Sequence, residues 1–399
     1  MADEVVKHYE AVIIGAGPGG LAAAAALLDC GVRRILWVDR GFRGGTLNEC
    51  YREISSNTKV GLYLEAIRSS LACSDVIARA TEPNAWTALD RLDHDDTCQL
   101  SLAGDLICML VDGLCESDAI EKCVDEVKRA ERSPEDDTWN IAMVHRRVVT
   151  RRMILCTGSR PIVLDIHARY HPDIRVIDLD TCMSRSRLAS ELPENEISTV
   201  AVVGNSHSGV LCCRNLYELA QSGKRSLGIV NFHRQPIRFA DYREEGIVYD
   251  NSGLKGATAV WARDVMGRLV GSEDGHDILR QVDLGSAHDK ETEQGEEGLV
   301  YKRELPRCTH IVYAVGYEPA PLPDLYVDRQ RINGSLRFDM ITSGFRTADE
   351  VEDEVVAGLF GCGIAFPEKV ADPEGHVEAA VGVTKFFKFA QRVRDVWAG

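Results

Sequence analysis

Residues 10–40 read EAVIIGAGPGGLAAAAALLDCGVRRILWVDR, and this stretch decides the fold. The apolar run 11–14 reads as a buried strand. Gly15, Gly17 and Gly20 follow in G-x-G-x-x-G spacing, with Pro18 and Gly19 between them. An alanine- and leucine-rich segment to about Cys30 reads as a helix, and a second strand, 35–38, ends on Asp39 beside Arg40. Each part has a physical task. Gly15 permits the tight turn out of the strand, Gly17 leaves backbone open to a pyrophosphate, and Gly20 lets helix and sheet approach. The helix N-terminus offers free N–H groups and a partial positive charge to phosphates. Asp39, 19 residues beyond Gly20, is placed to accept from an adenosine ribose. Glycine turns alone are common; strand, helix and terminal acid around this one make it a dinucleotide site.

The surrounding chain fits such a unit. Its 399 residues allow one to three domains, and 45% hydrophobic residues supply a substantial core. Forty-six basic against 62 acidic residues leave a formal charge of −16. That balance argues against a nucleic-acid or anionic-membrane surface. Thirteen cysteines, an odd number without C-x-x-C spacing, and a polar opening segment argue against a disulfide framework and for a reducing, cytoplasmic setting. The most apolar stretch, 21–28, is too short to span a bilayer. No metal site is expected, and a homodimer is left open.

Beyond Asp39, Gly44 and Gly45 imply a close turn, and the polar segment 51–59 carries Arg52, Asn57 and Lys59. Such a segment is expected either to cover the reactive end of a cofactor or to form a solvated loop. Residues 65–118 read mostly as helix, interrupted by charge at 90–96. Residues 119–129, including Val127, read as a third strand, 139–144 and 147–155 as a meander ending at Thr157-Gly158. A second fingerprint then follows the strand 198–203: Gly204, Ser206 and Gly209, with His207 and Ser208 inside it. A helix at 210–222 and a strand at 227–232 complete a second βαβ unit. No acid ends that strand; Arg234 and Arg238 follow it, which favours the 2′-phosphate of NADPH over NADH. Residues 239–268 exceed what a nucleotide fold needs, and acidic 271–298 is expected as an exposed hairpin or loop. Strands are expected at 299–301 and 311–315, a glycine turn at Gly361-Cys362-Gly363, and an amphipathic helix over 377–397.

Two fingerprints about 190 residues apart, with the Thr157-Gly158 and Val315-Gly316-Tyr317 strand ends and the late glycine turn, resemble the two-dinucleotide-binding-domain flavoproteins. That superfamily includes thioredoxin reductase-like enzymes and the flavin-containing and N-hydroxylating monooxygenases. The resemblance implies an α/β protein with two Rossmann-like domains: residues 1–161 and 305–399 for FAD, and 162–304, inserted, for NAD(P)H. It places Gly15, Gly17, Gly20 and Asp39 on FAD, Gly363 near its ribityl chain, and Gly204, Ser206 and Gly209 on the nicotinamide nucleotide. Arg52 and Lys59 become candidates for holding phosphate, flavin or substrate charge.

Without a C-x-x-C, a dithiol-relay reductase is disfavoured. Adjacent Cys212 and Cys213 read as small buried helix residues, and a meeting of Cys50 with Cys362 stays open. The segment around Asn57 resembles the one that faces the flavin edge in flavin-containing monooxygenases. The expected activity is therefore an NADPH-dependent monooxygenase using O2 on a small-molecule substrate, through a flavin C4a-hydroperoxide, with Asn57 and Lys59 as catalytic candidates. The alternatives are a reductase or oxidase on the same scaffold, or a nucleotide-binding sensor without turnover. Glu368 is a weaker substrate candidate.

Overall fold

The computed structural model describes residues 6–133, 135–223, 226–267, 278–285, 295–348 and 353–399. Two sheets organise the chain, the first mixed and the second parallel. In the first, the strand Lys7–Ile14 lies between Ile35–Asp39 and Arg147–Leu155. Ile120–Val124 adds beyond Ile35–Asp39, and Asp353–Gly361 beyond Arg147–Leu155, all parallel. These strands are apolar runs because helices cover one face and a meander the other. The meander is Val127–Ser133, Thr138–Met143 and Arg147–Leu155, joined antiparallel. The expected third strand over 119–129 is thus two strands, divided at Asp125, whose carboxylate accepts from the N–H groups of Glu126, Val144 and His145.

The helix Pro18–Asp29 buries every residue from Gly19 to Leu27. It packs between the first sheet and the C-terminal helix Val383–Ala398, sharing a core with Phe386, Phe387, Ala390 and Val393. Alanine is required there: a helix covered on all sides needs small side chains for close approach. The C-terminal helix begins at Val383, not at 377; residues Val377–Ala380 form a strand of a hairpin with Glu368–Ala371.

The second sheet has the order Arg175–Val176, His310–Tyr313, Ser198–Val203, Leu227–His233, Leu279–Asp283, again all parallel. Three expectations change here. Residues 299–301 lie in the helix Glu296–Glu304. The strand His310–Tyr313 pairs with Ser198–Val203, so a boundary at 304 would cut this sheet. Within 271–298, residues 279–283 are an edge strand of the core sheet rather than an exposed loop; 271–277 and 286–294 lie outside the described residues.

The extra segment after 238 forms a strap between the two units. Asp250 accepts from Lys385 at 2.7 Å and also pairs with Lys255. Glu378 accepts from the N–H of Asn251 and the hydroxyl of Ser252. Asp372 accepts from the N–H of Tyr249. Among the described residues no helix is long and apolar enough to cross a membrane.

Candidate functional site

The first glycine turn is built from backbone pressed on backbone. Gly15 has φ +109°, and a Cβ there would lie 2.2 Å from the Cys156 carbonyl oxygen. A Cβ on Gly20 would lie 1.9 Å from the Gly15 oxygen, and one on Gly19 would lie 2.8 Å from Gly363 Cα. A Cβ on Gly45 would meet Gly17 Cα at 2.9 Å. No side chain caps the helix that starts at Pro18; its first intrahelical bond runs from Leu21 N–H to the Gly17 carbonyl. The N–H groups of Gly19 and Gly20 therefore lack intrahelical partners at its positive end.

This turn opens into a cavity of about 1000 Å³, lined by Gly15, Gly17, Pro18, Gly19, Asp39, Arg40, Val127, Gly158 and Gly363 of the expected set. Asp39 has a role the sequence did not show. One oxygen accepts from Ala16 N–H at 2.8 Å, and the other from Gly41 and Phe42 N–H at 2.8 and 2.7 Å. It locks the turn, and only its remaining lone pairs are open to a ribose. Arg40 pairs with Glu126 at 2.7 Å. Ile364 also lines the cavity.

Asn57 lines the same cavity, on the strand Ser55–Lys59, and its Oδ1 is buried without a partner; so is the Thr157 Oγ1. Orphaned buried oxygens cost roughly 1–3 kcal/mol unless a ligand satisfies them. Two expectations fail here. Lys59, at the end of this strand, pairs with Asp95 at 3.0 Å, outside the cavity lining. Arg52 is held by Asp105 at 2.7 Å and by Asn48, and does not line the cavity either.

The second turn repeats the first. Gly204 has φ +107°, and a Cβ there would meet the Ala314 oxygen at 2.3 Å. A Cβ on Gly209 would meet the Gly204 oxygen at 2.2 Å. The helix His207–Gln221 follows with Ser206 at its N-cap and no side-chain cap bond. Its His207 and Ser208 line the same cavity as Gly15 and Asn57. The His207 Nε2 is buried without a partner, and burial pushes its pKa down to about 4, so the ring is neutral near pH 7. Arg234 departs from expectation: Glu297 takes it in a fork at 2.8 and 3.1 Å, so its charge is not available alone. Arg238 stacks on the Tyr249 ring at 4.3 Å.

The cysteines also resolve. Cys362 faces Cys156, whose thiol burial and this neighbour push well up, whereas Cys50 lies beside Arg187. Cys212 and Cys213 are buried on the second helix. Glu368 pairs with Arg392 at 2.9 Å, and Asp241, Tyr242 and Arg243 form an exposed hairpin strand. The lining residues Tyr51, Ile54, Met183 and Tyr317 were not in the expected site. They are scattered over 267 positions, and no spacing links them.

The cavity therefore has a backbone floor with free N–H donors, orphaned acceptors, and a second glycine turn opening on it. These features fit a flavin and a nicotinamide nucleotide. Residues 9–329 match the pyridine nucleotide-disulphide oxidoreductase family. The chain belongs to this family. It is 37% identical over 396 residues to monooxygenase AgnR1 of Paecilomyces divaricatus, covering 97% of each chain. The fold is similar to ornithine hydroxylase PvdA from Pseudomonas aeruginosa, with TM-score 0.63 at 12% identity over 98% of this chain and 99% of that one. It is also similar to the flavin-containing monooxygenase from Stenotrophomonas maltophilia, with TM-score 0.56 at 13% identity over 98% of each chain. Thioredoxin reductase from Lactococcus lactis gives 0.52 at 14% identity, again over 98% of each. The protein is thus an FAD-dependent oxidoreductase of this family, with a full-length monooxygenase relative.

Proposed function

We propose that this protein is an NADPH-dependent FAD monooxygenase that hydroxylates a small molecule. One observation carries the reading: the helix start of the second fingerprint, at His207 and Ser208, and the first fingerprint with Asn57 share one cavity. A hydride donor and its acceptor can then meet without a dithiol between them. The thirteen cysteines are free thiols, which also suits a reducing, cytoplasmic compartment. In this reading the FAD unit comprises residues 1–161 and the C-terminal part, and the nucleotide unit runs from 162 through the strand His310–Tyr313.

Bound FAD would supply hydride acceptance and oxygen activation. The chain's own residues bind, orient and exclude water. Gly19 and Gly20 N–H groups receive a pyrophosphate. Asn57, with one unpartnered oxygen, fixes a group at the reacting end of the cavity. Neutral His207 sets a ring without charge beside the nicotinamide nucleotide. His233, not an acid, ends the second strand, and this supports NADPH over NADH with Arg238 as the accessible cation.

Anaerobic mixing with NADPH and with NADH, followed by air, tests the reading. Faster reduction by NADPH is expected, with one O2 and one NADPH consumed per oxygenated substrate. No reduction by either nucleotide would instead favour an oxidase. Asn57→Ala is expected to retain FAD and to release hydrogen peroxide for most of the NADPH it consumes. Coupling equal to wild type would remove Asn57 from this role.

A further inference from the structure

Taking the monooxygenase reading as given, we infer that the cavity recognises its substrate through the phenol of Tyr51, seated beside Tyr317, and that it selects an uncharged, largely apolar molecule carrying a hydroxyl or N–H donor. The two residues line the cavity with Ile54, Leu100 and Met183. The five come from four parts of the chain and converge in one apolar cluster where the two units meet.

The direction of the hydrogen bonds sets the selectivity. Tyr51 donates to the Asp180 carboxylate at 2.7 Å. Its only proton is then committed, and the Tyr317 hydroxyl lies beside it at 3.2 Å. The Tyr51 proton points away from a ligand, toward Asp180. The Tyr51 oxygen keeps a lone pair. Burial raises both phenol pKa values, so neither ionises near neutral pH. A ligand group meeting the Tyr51 oxygen must donate. A carboxylate or a carbonyl presents only acceptors and would face lone pair against lone pair.

Charge points the same way. The cations that line the cavity each have an acid: Arg40 and Lys128 at 2.7 Å from Glu126, and Arg43 at 3.8 Å from Glu49. An anionic substrate finds no unpaired cation among these lining residues. Ile54, Leu100 and Met183 give it an apolar wall. Asp180 is a positioning residue here. It lies behind Tyr51, outside the cavity lining, and holds the phenol's proton.

The same donor chemistry could come from substrate or from a nicotinamide ribose, and the test separates them. The FAD-loaded protein is titrated with phenol, anisole and benzoate, following the visible flavin spectrum; NADP+ is titrated separately. Phenol is expected to bind at least tenfold tighter than anisole, with benzoate weakest. In Tyr51→Phe the phenol preference should fall to within about threefold, with the NADP+ dissociation constant unchanged. Asp180→Asn should lower it as well, because the amide can donate to Tyr51 and release its proton toward the ligand; carbonyl probes such as acetophenone should then gain. Equal binding of phenol and anisole, tighter binding of benzoate, or no spectral response to any probe would overturn the inference. So would a Tyr51→Phe effect confined to NADP+. These are binding measurements. Loss of coupled oxygenation would fail the monooxygenase reading and leave them standing.

Discussion

The two glycine turns invite comparison, because they solve one problem twice with different residues. In each, the first glycine's N–H donates to the second strand at 2.8 Å: Gly15 to the Val38 carbonyl, Gly204 to the Phe232 carbonyl. In each, a later strand end donates into the first strand at 2.8 Å, Cys156 to Ile14 and Ala314 to Val203. In each, the first glycine's carbonyl would be orphaned beneath the helix. A side chain on the second strand rescues it: Trp37 Nε1 donates to the Gly15 oxygen at 2.9 Å, and Asn231 Nδ2 to the Gly204 oxygen at 2.8 Å. The two residues occupy equivalent registers, Trp37 opposite Ile13 and Asn231 opposite Val202. An indole and an amide share nothing but a donor at the right height.

The difference lies in what closes over each turn. Gly17 and Gly19 are met by Gly45 and Gly363 from distant parts of the chain, backbone to backbone. The second turn carries Ser206, which is exposed, and then His207 and Ser208. The first site is enclosed and suits a cofactor that stays. The second is more open and suits one that comes and goes. Enclosure is a property of the neighbours, not of the fingerprint.

The sharpest way to break this comparison is to place the same methyl in both turns. Gly20→Ala and Gly209→Ala each drive a Cβ to about the same distance from a carbonyl oxygen, 1.9 and 2.2 Å. The first variant should purify colourless or not fold. The second should remain yellow and be reduced by NADPH at least a hundredfold more slowly. Visible absorbance and anaerobic stopped flow read both; equal loss of FAD in the two would erase the distinction.

A smaller effect follows from His207, which stands where the first turn has Pro18. Its folded pKa, about 4, lies below the ordinary value near 6.5. Between these values the unfolded chain binds more protons, so stability falls as pH drops through that window, by up to about 3 kcal/mol. Denaturant midpoints at pH 7 and pH 4.5 should show a smaller loss in His207→Gln than in wild type. An unchanged loss would mean the imidazole is not held neutral.

Next come the rescuing donors. Asn231→Leu and Trp37→Phe each leave a buried carbonyl unpaired and should cost about 1–3 kcal/mol. The Trp37 variant should also weaken FAD retention and the Asn231 variant NADPH affinity, by fluorescence titration. The smallest effect is expected at Glu297. Glu297→Gln frees the Arg234 guanidinium, and the ratio of NADPH to NADH efficiency should rise about fivefold, on the order of 1 kcal/mol. A falling ratio would show that Arg234 does not face the 2′-phosphate.

Much of this was legible in the sequence. Both fingerprints, the two strands that flank each fingerprint helix and the buried alanine helix follow from local patterns. Asn57 is a candidate only through the resemblance of its segment, since no local pattern marks 55–59 as a strand lining the cavity. The strap over 239–256 was legible only as surplus length. Its purpose rests on Asp250, Asp372 and Glu378 meeting partners more than a hundred residues away. Lys59 and Arg52 read as functional cations because their neutralising acids, Asp95 and Asp105, lie on other elements. Arg234 misleads in the same way, through Glu297.

The sequence by itself determined where the chain turns and what each turn can bind, because a glycine's missing side chain and a helix's free N–H groups act within a few residues. Tertiary structure alone decided which polar groups remain unpaired. Charge and hydrogen-bonding capacity are cancelled through space, by whichever residue the fold brings within about 3 Å. Asn57, His207 and the Tyr51–Tyr317 pair are what that cancellation left facing the cavity.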